Sequence, residues 1–115
     1  MPGNIYNFNT RQEFIEYLKT NQHCIVKFTA TWCKPCQRAK PIVDNLFEQC
    51  KQYIDLIIVD ADNGTDLCSY LKVRSFPTFY SYVRGELAES MIGSEANTIL
   101  DLFNKTLKRI SKNIT

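Results

Sequence analysis

Two thiols separated by two residues stand out in this chain, in the run Thr31-Trp32-Cys33-Lys34-Pro35-Cys36. The segment lies where a buried apolar run gives way to a helical pattern. A Cys-x-x-Cys pair at a helix start is close enough to close a disulfide within one turn. Unpaired backbone N–H groups and the positive end of the helix dipole favour a thiolate there. The thiolate is the nucleophile of disulfide exchange, and such motifs lower the thiol pKa well below about 8.5. Cys33, nearest the helix tip, is expected to be the more exposed and to attack. Cys36, one turn in, is expected to be more buried and to resolve the mixed disulfide, leaving a Cys33–Cys36 bond that a separate reductase must reopen.

The competing chemistry is a metal knuckle. Structural zinc takes four ligands, usually two such pairs or one pair with histidines. This chain has one pair, a lone His23 and no second Cys-x-x-Cys. The Trp before the pair, the Pro inside it and the strand–helix setting favour redox chemistry, with no metal and no cofactor. Cys24, Cys50 and Cys68 fall singly on apparent core faces and read as small buried apolar residues. Of the three, Cys68 is expected to be exposed and is the candidate regulatory thiol.

These groups need elements to hold them. The 115 residues suit one domain, 1–115. Ile5 to Phe8 alternates like a short strand, and Thr10 with Glu13 fits a capping box for a helix carrying Phe14, Ile15, Tyr17 and Leu18. Cys24 to Thr29 is a buried strand. The helix from Cys33 to about Cys50 buries Ala39, Ile42, Val43, Leu46 and Phe47, and Pro41 must kink it or end its first part. Ile54 to Val59 is apolar on both faces, as a covered central strand would be. A short helix from Thr65 should turn Leu67, Tyr70 and Leu71 inward. Thr78–Val83 and Leu87–Ile92 form a hairpin across Arg84-Gly85-Glu86. Ser94 then caps a helix burying Ile99, Leu100, Phe103 and Leu107. The order β-α-β-α-β-α-β-β-α implies an α/β fold with a mixed sheet between helices.

Charge and hydropathy exclude other classes. Fourteen basic against twelve acidic side chains give a net charge of +2, no reason to expect nucleic acid or an acidic membrane as partner. No apolar run reaches the roughly 20 residues of a membrane span. The N-terminal Met1-Pro2-Gly3-Asn4 lacks the features of a signal peptide, and five cysteines do not make a disulfide framework, so a reducing, cytoplasmic setting is expected.

With these flanks, Trp-Cys-x-Pro-Cys resembles the thioredoxin family over nearly the whole chain. Phe28 and Ala30 precede the motif as in that family, Pro41 matches the proline of its active-site helix, and Gly85 its hairpin glycine. Phe76-Pro77-Thr78 resembles the family's cis-proline loop. The resemblance implies a thioredoxin fold, a mixed sheet of about five strands flanked by about four helices. It implies protein-disulfide reduction, disulfide-bearing client proteins and a thioredoxin-reductase-type recycling enzyme. It places Trp32, Lys34, Pro35, Phe76, Pro77 and Gly93 along a substrate groove, with Trp32 packed over Cys33 and the Phe76 backbone free to pair with an extended client segment.

One departure is chemical. Where the family usually carries a buried Asp, six residues before the nucleophile, this chain has Lys27. A buried ammonium should have a depressed pKa. Charged, it would stabilise the thiolates and make the pair more oxidising. Neutral, it could act as base toward Cys36. If it snorkels to water, it does neither. Lys34, where the family has a small residue, should favour the Cys33 thiolate. Two further functions stay open on sequence alone: a binding or scaffold subunit with idle cysteines, and a more oxidising oxidase or isomerase.

Overall fold

The computed structural model describes residues 1–112. The elements run β1 (Ile5–Asn7), α1 (Arg11–Leu18), β2 (Cys24–Thr29), α2 (Lys34–Cys50), β3 (Asp55–Asp60), α3 (Thr65–Tyr70), β4 (Thr78–Val83), β5 (Glu86–Ile92) and α4 (Ala96–Lys112). This is the expected order. They form one five-stranded sheet in the order β1-β3-β2-β4-β5. β1, β3 and β2 are parallel, and β4 and β5 return antiparallel to their neighbours. Arg84 and Gly85 both take positive φ, 53° and 80°, the signature of a two-residue type I′ turn whose twist suits a hairpin.

Alternation in the two central strands builds both cores. Ile25 and Leu56 face α2 and α4, packing with Ala39, Val43, Phe47, Ile99 and Phe103. Val26, Phe28, Ile57 and Val59 face α1 and α3, packing with Phe14, Tyr17 and Leu67. Because β2 and β3 are covered on both faces, their apolar residues run nearly without interruption. The capping box of α1 is present: Glu13 N–H donates to Thr10 Oγ1 at 3.2 Å, and Glu13 Oε1 accepts from Thr10 N–H at 2.9 Å.

Three expectations need correction. On α4 the buried residues are Ile99, Leu102, Phe103, Thr106 and Ile110, whereas Leu100 is exposed and Leu107 half-buried. Thr106 hides the stripe's true phase; its hydroxyl is satisfied by the Leu102 carbonyl at 2.7 Å, which lets a polar residue occupy a core position. The helix begins after Glu95, whose carbonyl accepts from Ile99 N–H, so Ser94 lies before the cap. On α3, Cys68 is buried at 6% and takes the inward place; Tyr70 turns out to meet the Arg11 guanidinium at 5.1 Å. Of the two outcomes expected at Pro41, a kink or an end, the end is not seen: α2 runs from Lys34 to Cys50 with Pro41 inside it.

Candidate active site

The parallel strands β2 and β3 both end at the edge of the sheet where α2 begins, so the β2–α2 connection lies beside the loop that follows β3. A turn closed by Cys33 N–H to the Ala30 carbonyl, 3.2 Å, delivers Cys33 to the start of α2, just before its first residue Lys34. Cys33 is its N-cap, in extended conformation, and its sulfur occupies the place a Ser or Asp oxygen usually takes: Cys36 N–H donates to Cys33 Sγ at 3.2 Å. Pro35 falls in the first turn, where its missing N–H leaves no helical bond unmade.

Cys33 and Cys36 are joined as a disulfide, with Cα atoms 5.2 Å apart. Both are buried, at 5% and 4%, so the expected difference in exposure is absent. What distinguishes them is the backbone: Cys33 alone receives an N–H from the helix start, and its Sγ alone lies 3.5 Å from the Phe76 carbonyl oxygen. The Phe76–Pro77 peptide is cis. Ala30, Ala61 and Phe76 cover the two sulfurs. Trp32 stands largely in solvent. Its side chain is 63% exposed, its ring meets Phe76 edge-on at 6.0 Å, and Nε1 points at Asp62 Oδ1 from 3.5 Å. Gly93 donates its N–H to the Pro77 carbonyl at 3.0 Å; its φ of +119° and the open space where a Cβ would stand leave that side of the loop clear.

Lys27 is buried at 5%, opposite Ile58 of β3 and Phe79 of β4. It lines a cleft with Lys40, Asp44, Ile5 and Ile58. Desolvation holds its pKa below the ordinary lysine value, with Lys40 reinforcing and Asp44 opposing. Lys34 is exposed beside the disulfide. The other thiols are all buried: burial pushes Cys24 up to about 12 and Cys50 up to about 11, and raises Cys68 with help from Asp60. Thus Cys68 is not the exposed thiol anticipated. Among the described residues, no cluster of three His, Cys, Asp or Glu side chains is arranged to hold a metal ion.

The structure therefore gathers Trp32, Cys33, Lys34, Pro35, Cys36, Phe76, Pro77 and Gly93 at one end of the molecule, with Lys27 buried on β2 under α2. Sequence reasoning passed over Asp62, Lys72 and Arg74, which border a cleft with Trp32 and Phe76. The usable signal for Asp62 was its position just after β3, at the same sheet edge as the cysteines.

Comparison with known proteins agrees with this geometry. The thioredoxin family profile matches residues 6–106. Thioredoxin of Rickettsia felis is 28% identical over 108 residues, covering 93% of this chain and 100% of that one. Thioredoxin of Ictalurus punctatus is 33% identical over 81 residues, 70% of this chain and 76% of its own. The solved structure of oxidised mitochondrial thioredoxin 3 from Saccharomyces cerevisiae superposes with a TM-score of 0.79 at 26% identity, covering 87% of this chain and 93% of that one.

Proposed function

Because this chain belongs to the thioredoxin family and is a thiol–disulfide oxidoreductase, we propose that it reduces protein disulfides with Cys33 as nucleophile and Cys36 as resolving thiol. The observation that carries this assignment is the hydrogen bond from Cys36 N–H to Cys33 Sγ at the tip of α2. A donor held there favours the thiolate of Cys33 over its thiol, and among the described residues no such donor reaches Cys36 Sγ. In the reduced protein, the Cys33 thiolate attacks one sulfur of a client disulfide, and the other sulfur leaves as a thiolate that takes up a proton. Cys36 then loses its proton and attacks Cys33 Sγ. The client departs with both sulfurs reduced, and its two electrons have come from the Cys33–Cys36 pair, now a disulfide. A thioredoxin-reductase-type enzyme returns two electrons and closes the cycle.

Trp32, Lys34, Pro35, Phe76, Pro77 and Gly93 are assigned to client binding, with Lys27 as a modulator of the dithiol. The exposed Trp32 and the Gly93 side of the cis-proline loop leave an extended client segment room to lie against the Phe76 backbone. Residues 1–115 are assigned to a single domain. Three free thiols in the interior fit a reducing, cytoplasmic setting. No described helix is long and apolar enough to cross a membrane. The test is reduction of insulin by dithiothreitol, followed by turbidity. The native chain accelerates it, Cys33→Ser abolishes the acceleration, and Cys36→Ser accumulates a mixed disulfide through Cys33 by mass spectrometry. Full activity in Cys33→Ser rejects the assignment.

A further inference from the structure

Exposed cations in no ion pair among the described residues include Arg38 on α2, Lys108 on α4 and three at the disulfide end. Six cations form ion pairs with carboxylates: Arg11 with Asp66, Lys19 with Glu16, Lys40 with Asp44, Lys51 with Glu48, Lys105 with Asp101 and Arg109 with Glu89. Lys34, Lys72 and Arg74 are exposed and none of them forms an ion pair among the described residues. All three lie at the disulfide end. Lys34 follows Cys33 directly. Lys72 and Arg74 stand on the loop before the cis-proline and line two clefts at once, one of about 460 Å³ with Trp32 and Phe76 and one of about 430 Å³ with Ser90 and Ile92. Two carboxylates share this end without being closed on a cation: Asp60 accepts the N–H groups of Asp62 and Asn63, and Asp62, which lines the first cleft, lies 3.5 Å from Trp32 Nε1; the three cations outnumber them. Glu95, beyond Gly93, is the other exposed carboxylate that follows the groove in sequence.

We propose that this rim selects clients by charge: the preferred substrates are extended segments carrying Asp or Glu within a few residues of the cystine sulfur that Cys33 attacks. The inference rests on the disulfide-reductase reading and names its substrate class. Two clefts flanking one cationic ridge give an acidic side chain on either side of the attacked cysteine a counter-ion, while Trp32 and Ile92, 63% and 69% exposed, supply apolar contact around it. Unpaired surface cations of this kind act chiefly on encounter rate, so the preference is a low-salt effect that screening removes.

Three synthetic peptides test this. Each carries one cysteine blocked as a mixed disulfide with a neutral thiol, flanked on both sides by Glu, Gln or Lys. The second-order rate of their reduction by the pre-reduced full chain is followed by stopped flow at low and high ionic strength. At low salt the Glu peptide should react about tenfold or more faster than the Lys peptide, with Gln between them. At about 0.5 M salt the three rates should converge to within a few-fold. In the triple variant Lys34→Gln/Lys72→Gln/Arg74→Gln the Glu-to-Lys ratio should fall toward one, whereas Lys19→Gln/Lys51→Gln keeps it. Equal rates for the three peptides at low salt, or a ratio that survives the triple substitution, overturns the proposal while leaving the reductase reading intact. Failure to reduce even the Gln peptide sinks the reductase reading itself.

Discussion

Replacing Lys27 with Met should stabilise this protein, and only below the alkaline range. Lys27 is 5% exposed on a central strand, and Asp44, the carboxylate that favours its charge, is itself closed on Lys40 at 2.7 Å. An ammonium there has given up much of its hydration without gaining an ion pair. Exchanging buried ionic groups for apolar ones of similar volume is often neutral or stabilising by about 1–4 kcal/mol. The open cleft beside Lys27 argues for the lower end, about 1 kcal/mol at pH 7. For a chain of 115 residues, an unfolding entropy of about 0.24 kcal/mol/K makes this a rise in Tm of about 4 °C. The sign with pH follows from linkage. The folded-state pKa lies below the ordinary 10.5, so between the two values the unfolded chain holds more protons and native stability rises with pH. The advantage of Met is therefore full at neutral pH and shrinks as pH approaches the unfolded value. Urea unfolding of the two oxidised proteins, followed by circular dichroism from pH 6 to 10, measures it. A variant less stable than the parent at pH 7, or a gain of equal size at every pH, refutes the reasoning.

Other outcomes follow from the same structure. Lys27→Asp should make the Cys33–Cys36 potential more negative, by ~30 mV for each 1.4 kcal/mol by which the reduced form is destabilised; identical potentials would remove Lys27 from the redox chemistry. The Glu13 carboxyl is held below its ordinary 4.5 by the N–H groups of Asn9 and Thr10, so its contribution is present above that value and lost as pH falls through the lowered one. The stability gap between the native chain and Glu13→Gln should accordingly close on acidification, and a gap independent of pH would contradict this. Tyr17→Phe removes a 2.7 Å hydrogen bond to the buried Asp55 and should cost about 1.5–3 kcal/mol in urea unfolding, with the redox potential unchanged. Phe79→Ala, at a fully buried position between α2 and α4, should cost about 3–5 kcal/mol by the same measurement.

Features set within a turn or two of chain were legible from residue order. The Thr10–Glu13 box, the strand from Cys24 to Thr29 and the helix opening on a Cys-x-x-Cys all depend on neighbours no more than a few positions away. The phase of α4 was misjudged because Thr106 looks polar in the sequence and is buried in fact, and Tyr70 was misplaced because its partner, Arg11, lies on another helix. The cis-proline loop came from family resemblance, since residue types alone did not distinguish cis from trans at Pro77.

By itself, then, the order of amino acids determined the element sequence, the pairing of Cys33 with Cys36 and the chemistry that pair can perform, because bonding distance and helix polarity are local properties. Exposure was decided by the folded molecule. Cys33 is as buried as Cys36, Trp32 stands outward, and Phe76, 43 residues along the chain, brings its carbonyl to 3.5 Å from the Cys33 sulfur. Solvent exclusion at each of these positions is a sum over atoms from distant segments, and those segments meet only when β2, β3 and β4 have assembled side by side.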